Sequence, residues 1–140
     1  MKYLIVLGMF VLGVAGYFLL ILGPPAVVAQ DPVAIAQTEQ SLSEIAAEKR
    51  QTLPTVLSET ITLNDAVFLP RLRIMEYAYA TSTSDNAALQ SFVDSRAETL
   101  CLEVKDMSGT GVTLRNIFED LNGNVLRRIY LLDEDCQRFY

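Results

Sequence analysis

The sequence contains no histidine among its 140 residues. A Ser-His-Asp triad, a Cys-His pair and a histidine-based metal site are therefore excluded within this chain. Two other catalytic patterns are missing as well, because there is no S-x-x-K motif and no glycine-rich phosphate loop followed by lysine. We therefore predict no catalytic residue, no cofactor and no enzymatic activity, and keep a histidine-free hydrolase only as an alternative.

The sequence also lacks a recognisable pattern of metal ligands. The acidic run Asp133-Glu134-Asp135 offers carboxylate oxygens, which hard cations such as calcium prefer. It has neither the spaced ligands nor the glycine of a known calcium loop. We therefore predict no metal site and interpret the run as a solvated segment.

Charge is nearly absent from the first thirty residues, where Lys2 is the only charged side chain before Asp31. Residues 30–140 hold all 17 acidic residues and ten basic ones, which gives a formal charge of −7. A domain with this charge and no basic stripe is a poor match for a phosphate backbone, so we predict no nucleic-acid partner. A segment of this length supports one small domain.

The uncharged stretch Tyr3–Leu22 is long enough to cross a bilayer as a helix, about 30 Å at 1.5 Å per residue. We predict that residues 1–29 form a signal anchor of a single-pass inner-membrane protein. By the positive-inside rule its N-terminus is cytoplasmic and the following domain is periplasmic. The alternative is a cleavable signal peptide, since Val27-Val28-Ala29 offers small residues for cleavage after Ala29. The product would then be periplasmic or secreted.

Residues 30–52 read as a helical segment that begins at Asp31-Pro32, an Asx cap followed by proline at the first helical position. The apolar stripe of this helix is thin and consists of Ile35, Leu42 and Ile45. Two alternatives follow from a thin stripe. The helix either lies along the domain with one narrow face or forms a stalk between the membrane and the domain at 53–140.

The domain at 53–140 shows two strand pairs and one amphipathic helix. The predicted strands are Thr60–Leu63, Arg71–Ala80, Val112–Glu119 and Val125–Leu132, and the helix contains Ala88, Leu89, Phe92, Val93, Ala97 and Leu100. Asn64-Asp65 is predicted to begin the first turn, and Asn122-Gly123 the second, because Asn-Gly tolerates positive φ. We expect an α+β fold of the order helix, hairpin, helix, hairpin, with a four-stranded antiparallel sheet and the helices on one face.

Both cysteines, Cys101 and Cys136, lie in the part predicted to be exported. Two cysteines in an oxidising compartment most simply form a disulfide with each other. The chain-entropy model predicts that such a bond stabilises the folded state by about 3–4 kcal/mol. A redox-active pair is the alternative. It usually has closely spaced cysteines and a lowered thiolate pKa, whereas here the spacing is long and acidic residues adjoin Cys136.

The candidate partner-binding residues are aromatic or basic. Arg73, Met75, Tyr77 and Tyr79 alternate along one predicted strand and therefore share a face. They either pack in a cross-strand row or form a binding surface, since Tyr, Arg and Met are enriched in interface cores. The terminal Phe139-Tyr140 either caps the core or docks on another protein.

The arrangement resembles a group of small, uncharacterised bacterial exported proteins with one membrane segment and one disulfide. The matching residues are Leu53-Pro54, Leu63, Tyr77-Ala78-Tyr79, Cys101, Gly111, Asp120-Leu121-Asn122-Gly123 and Asp135-Cys136. The resemblance covers the chain from about Leu53 to Cys136. It implies the α+β fold and the disulfide, and it carries no activity.

These observations favour a protein that acts by binding. We predict a membrane-anchored extracytoplasmic accessory protein, a small subunit or assembly factor of a larger inner-membrane complex. Its expected partners are the membrane, through the N-terminal helix, and another membrane or periplasmic protein, with no small-molecule substrate. The alternative is a cleaved periplasmic or secreted protein that binds or inhibits a partner.

Overall fold

The computed structural model describes residues 32–140. The predicted membrane segment at 1–29 and the predicted helix cap at residue 31 lie outside this part. Among the residues described, no helix is long and apolar enough to cross a membrane. The elements in chain order are α1 (Pro32–Arg50), β1 (Thr55–Val56), β2 (Ile61–Leu69), β3 (Ile74–Thr81), α2 (Asn86–Glu103), β4 (Thr113–Glu119), β5 (Val125–Leu131) and the one-turn helix α3 (Asp133–Cys136).

The fold is α+β, as predicted, but its sheet has five strands in the order β1-β2-β3-β4-β5 and not four. The strand missed in the sequence is β1, whose two residues are too few to show an alternating pattern. The prediction of a wholly antiparallel sheet was also wrong, because β3 and β4 are parallel while the other neighbouring pairs are antiparallel.

The parallel pair follows from the length of α2. Its 18 residues extend about 27 Å, and the eight residues of β3 extend about 26 Å. The helix therefore carries the chain back along the whole strand, so that Thr113 at the start of β4 lies level with Ile74 at the start of β3. Parallel neighbours need a crossover of a dozen or more residues, and α2 provides it.

The first hairpin turns later than predicted. Asn64-Asp65 does not begin the turn, because β2 continues to Leu69 and the register shifts between Leu63 and Asp65 as in a β-bulge. The chain reverses at the 3₁₀ turn Pro70–Leu72, after which Arg73 has a left-handed backbone with φ 53°. Proline cannot donate to a ladder, so the strand ends where Pro70 begins the turn.

The second hairpin confirms the prediction for Asn122-Gly123, which lies in the turn between the antiparallel strands β4 and β5. Gly123 has φ 83°, a conformation that glycine adopts without strain. The Asp120 carboxylate accepts the backbone N–H groups of Asn122 and Asn124, each at 2.8 Å, and holds the loop. The side-chain amide of Asn124 also donates to Asp120 Oδ2 at 2.9 Å, and this bond, followed by the one from the Asn124 backbone, keeps the pKa of Asp120 below its usual range.

Both long helices cover one face of the sheet, as predicted, and share a single core with it. Asp85 caps α2 by accepting the N–H of Ala87 at 3.0 Å, a role for which aspartate is strongly preferred. The buried residues of α1 are Leu42 and Ala46, both in its C-terminal half. Of the two alternatives for this helix, packing along the domain is therefore the one seen for its second half.

The disulfide between Cys101 and Cys136 is present, as predicted. Its two Cα atoms are 5.2 Å apart, and both residues are buried in the core. The bond joins the end of α2 to α3, which directly follows β5. A separation of 35 residues therefore becomes a covalent ring that contains the whole second hairpin.

Candidate partner-binding site

Of the predicted row of Arg73, Met75, Tyr77 and Tyr79, the last three share one face of β3, which is the face that the helices cover. Tyr77 and Tyr79 are each 1% exposed, and Met75 is fully buried. The three side chains form the centre of the core and cannot contact a partner while this fold persists. The packing alternative is therefore the one that the structure shows for them. Arg73 precedes β3 and accepts the N–H of Thr113 on its carbonyl at 3.0 Å.

Burial of Tyr79 is possible because its hydroxyl has a partner. It donates to Asn116 Oδ1 at 3.0 Å, and the Asn116 amide group donates in turn to the carbonyl of Ile129 at 3.4 Å. The Tyr79 ring stacks on Phe118 with centroids 5.0 Å apart. Burial raises the pKa of the Tyr79 hydroxyl, so it remains a neutral donor. The two hydrogen bonds from Tyr79 to Asn116 and from Asn116 to Ile129 therefore link β3, β4 and β5 through the core.

Tyr77 joins an ionic group beside the two long helices. Its hydroxyl donates to Glu103 Oε2 at 2.9 Å, while Lys49 Nζ donates to Glu103 Oε1 at 2.8 Å. Lys49 also lies over the Tyr77 ring, 5.6 Å from its centroid. Burial, together with the Glu103 charge, raises the pKa of Tyr77, so this hydroxyl also stays protonated.

A cleft of about 330 Å³ opens at this ionic group. It is lined by Ile45, Glu48, Lys49, Thr52 and Glu103. The carboxylate of Glu103 is shared between an ammonium group and a phenol. These contacts join α1, α2 and β3 at the cleft.

The two C-terminal residues, Phe139 and Tyr140, lie in different environments. Phe139 is half-buried against the core, under the Arg138 guanidinium at 4.7 Å from its ring centroid. Tyr140 is exposed, and partial burial near Asp133 raises the pKa of its hydroxyl. Phe139 therefore takes the capping role, whereas a contact of Tyr140 with a partner stays a prediction.

The acidic run that precedes this pair is used by the fold. Asp133 Oδ2 accepts the N–H of Gly109 at 2.8 Å, and Asp135 Oδ2 accepts the N–H of Leu132 at 2.9 Å. Within residues 32–140 no group of three or more acidic residues or cysteines has the geometry of a metal site. These carboxylates close the turn into α3 and connect it to the loop before β4.

The exposed apolar surface lies elsewhere, on β5, and the sequence reasoning missed it. Leu126, Tyr130 and Leu132 are all exposed, on the sheet face away from the helices, while Ile129 and Leu131 point into the core. Tyr130 is 47% exposed. The signal was present in the sequence, because this strand has large apolar residues at both odd and even positions. A strand with one solvated face should alternate instead.

Comparison with known proteins identifies relatives of the fold. No protein-family model and no curated protein matches the chain. The structure is similar to the pilotin EpsS of the Vibrio vulnificus type 2 secretion system, with a TM-score of 0.58 and 15% identity over 76% of this chain and 98% of that one. It is also similar to the pilotin AspS of the Vibrio cholerae type II secretion system, with a TM-score of 0.50 and 17% identity over 74% and 99% of the two chains.

A third similar structure is a protein of Pseudomonas aeruginosa that is described as secreted. The TM-score is 0.57, with 13% identity over 76% of this chain and 99% of that one. At identities of 13–17% the similarity concerns the fold. Almost the full length of each of the three proteins is matched, so the common fold is complete and is not a shared fragment.

Proposed function

We propose that this chain is an extracytoplasmic accessory protein that acts by binding another protein of a larger envelope complex. The observation that carries the proposal is a fold shared with two secretion-system pilotins over 98% and 99% of their lengths. Fold alone does not define function, so the local features have to agree with it. The role proposed is that of a pilotin-like factor for assembly of a secretion complex.

Three local features support binding over catalysis. The disulfide suits an oxidising compartment outside the cytoplasm. The polar groups at the helix cleft are paired with each other, as described for Glu103 and Lys49. Five of the ten exposed large apolar side chains in the described residues lie on β5, its preceding turn or the residue after it, and such a concentration is typical of protein–protein contact.

The proposal includes how the protein reaches and stays at the cell envelope. In the first alternative, residues 1–29 hold the protein in the inner membrane as a single-pass anchor, and the domain lies in the periplasm. In the second, cleavage after Ala29 releases a periplasmic or secreted protein. The exported domain would bind its partner in the same way in both. Intact mass of the mature protein distinguishes them, because cleavage removes the whole apolar segment.

Capture of the partner from native membranes tests the function itself. The full chain, carrying a C-terminal affinity tag, would be cross-linked in intact cells and purified in mild detergent. We expect one envelope protein to be recovered in a fixed ratio, and the complex to survive size-exclusion chromatography. Recovery of a monodisperse monomer without a partner, at every detergent strength and with cross-linking, would rule out the accessory role.

A further inference from the structure

Exposed apolar residues are unevenly distributed over residues 32–140. Ten large apolar side chains are exposed in this part, and five of them lie within the twelve residues from Leu121 to Leu132. They are Leu121, Val125, Leu126, Tyr130 and Leu132. Scattered single residues of this kind need no explanation, whereas a concentration on one strand and its turn marks a contact surface.

The strand that carries this surface is also an edge strand. No described residue continues the sheet beyond β5, so one side of its seven-residue backbone has no strand partner in that part of the chain. Edges are normally protected against strand addition by charged side chains, by proline, by a bulge within the edge or by extreme shortness. The charges of β5 are both positive, so they oppose the addition of a neutral or basic strand and not of an acidic one. β5 has no proline, and its one irregularity is a bulge at Leu126, next to the turn, where Phe118 pairs with Arg127 and Glu119 with Val125. Beyond that bulge, Arg127–Leu131 pair with β4 in unbroken register and present a regular free edge.

The charge of β5 is opposite to that of the surrounding domain. The strand contains Arg127 and Arg128 and no acidic residue, while residues 30–140 carry a formal charge of −7. Arg127 points to the helix side and donates to Gln90 Oε1 at 3.3 Å. Arg128 is exposed between Leu126 and Tyr130 on the open face, and it forms no ion pair with any residue of the described part.

We propose that β5 binds an extended, acidic segment of another protein by strand addition. On the proposed function this segment belongs to the envelope partner, so the inference rests on that function and specifies its contact surface. The added strand hydrogen-bonds to the free edge of β5 and continues the sheet. Its residue opposite Arg128 is Asp or Glu, and its neighbours on the same face are apolar, opposite Leu126 and Tyr130.

A second copy of the chain is a poorer occupant of the same edge. Full-length antiparallel pairing of two β5 strands, which aligns Val125 with Leu131, places Arg128 directly opposite Arg128. Like charges that face each other across two strands destabilise the pair. The edge therefore fits an acidic strand from a different protein better than it fits itself.

A peptide-binding experiment tests the chemistry of the edge. The probe is a short, capped and fluorescently labelled peptide with threonine at alternate positions and valine, glutamate and valine at the others. We expect the full chain in mild detergent to bind it, and to bind the same peptide with lysine in place of glutamate about tenfold more weakly. Methylation of alternate backbone amides of the peptide should abolish binding, because strand addition needs those N–H groups.

Matched variants of the protein locate the site. Arg128→Glu should reverse the preference, so that the lysine peptide binds about tenfold more tightly than the glutamate peptide. Val56→Glu, at an exposed residue of the opposite edge strand, should leave both affinities unchanged. On binding, amide hydrogen exchange should slow at residues 125–131 and not at 61–69. Unchanged preference in Arg128→Glu, or equal effects of the two variants, would overturn the proposal.

The partner captured from membranes separates this inference from the proposed function. If the parent recovers an envelope partner and Arg128→Glu recovers it equally well, strand addition at β5 is wrong while the accessory role stands. If the parent itself recovers no partner, the accessory role is wrong. A symmetric dimer of the full chain that is lost in Tyr130→Lys would instead assign the edge to a second copy and overturn the acidic-strand proposal.

Discussion

The two edges of the sheet are built in opposite ways. The edge at β1 has two residues, follows directly after Pro54 and is paired only with Leu63 and Thr62 of β2. The edge at β5 has seven residues, exposes Tyr130 and lies beside the disulfide. A short strand presents few free backbone groups, whereas a long one presents a complete row. Within the described residues, the two ends of the sheet therefore differ in how much free backbone they present, and the longer row is at β5.

The supports of the two edges differ as well. Near β1, Arg50 of α1 contacts Asp65 of β2 through two bonds, Nε to Oδ1 at 2.8 Å and Nη2 to Oδ2 at 3.3 Å. This pair is exposed to solvent. Near β5, the corresponding support is the buried disulfide between Cys101 and Cys136. We therefore expect substitutions on the β5 side to be costly and those at the ion pair to be mild.

The largest effect should come from the disulfide. Cys136→Ser is expected to lower the free energy of unfolding by about 2–4 kcal/mol in oxidising conditions, because the unfolded chain loses its covalent constraint. Denaturant unfolding measures this loss, and hydrogen exchange should accelerate more at 125–131 than at 61–69. In strong reductant parent and variant should unfold alike. Equal stability of the two in oxidising buffer would contradict the structural role.

The second effect concerns the buried link from Tyr79 to Asn116. Asn116→Leu should destabilise the domain by about 1–3 kcal/mol, because the Tyr79 hydroxyl then stays buried without an acceptor. Adding Tyr79→Phe removes that hydroxyl, so the double variant should be less destabilised than the sum of the single ones. Strict additivity in this cycle would mean that the hydrogen bond contributes nothing.

A third, smaller effect is expected at the turn before β5. Gly123→Ala should cost about 1 kcal/mol, since φ 83° is strained for a residue with a Cβ. No atom lies within 4 Å of the added Cβ, so the cost comes from the backbone alone. Gly123→Asn is the matched control and should cost less, because asparagine tolerates this conformation. Thermal unfolding compares the two, and a larger loss for Asn would reject the backbone explanation.

The smallest effect should be at Asp65. The Arg50 guanidinium, and to a lesser degree the Ala66 N–H, keep the pKa of Asp65 below its usual range. Its contribution is therefore present above about pH 4 and is lost as pH falls through the lowered pKa. Asp65→Asn should cost about 0.5 kcal/mol at pH 7, as is typical of exposed pairs. Unfolding curves of parent and variant should converge at acid pH, and a gap that persists there would exclude this ion pair as its origin.

The features that were predictable from the sequence are the local ones. The Asp85 cap, the Asn122-Gly123 turn and the period-two row of Met75, Tyr77 and Tyr79 each depend on a few neighbouring residues. Alternation shows which residues share a face, but the side that α1 and α2 cover is decided by long-range packing. The alternation alone therefore left both interpretations of this row, packing and binding, open.

The missed features have the same origin. Pairing of β3 with β4 depends on how far α2 carries the chain, and the bulge at Asn64 depends on its register against β3. The apolar residues on both faces of β5 were visible in the sequence. They were interpreted as one ordinary strand of a hairpin, because the free edge becomes evident only once the strand order is known.

The covalent ring from Cys101 to Cys136 also determines how the domain responds to mechanical force. Because β4 and β5 both lie inside the ring, tension applied by a partner bound along β5 passes through the disulfide into the end of α2. Without that bond, the C-terminal end of β5 would be held by its hydrogen bonds to β4 and by the non-covalent core contacts of Ile129 and Leu131. With it, tension on β5 is also transmitted covalently to the end of α2, so the strand and the helix have to move together.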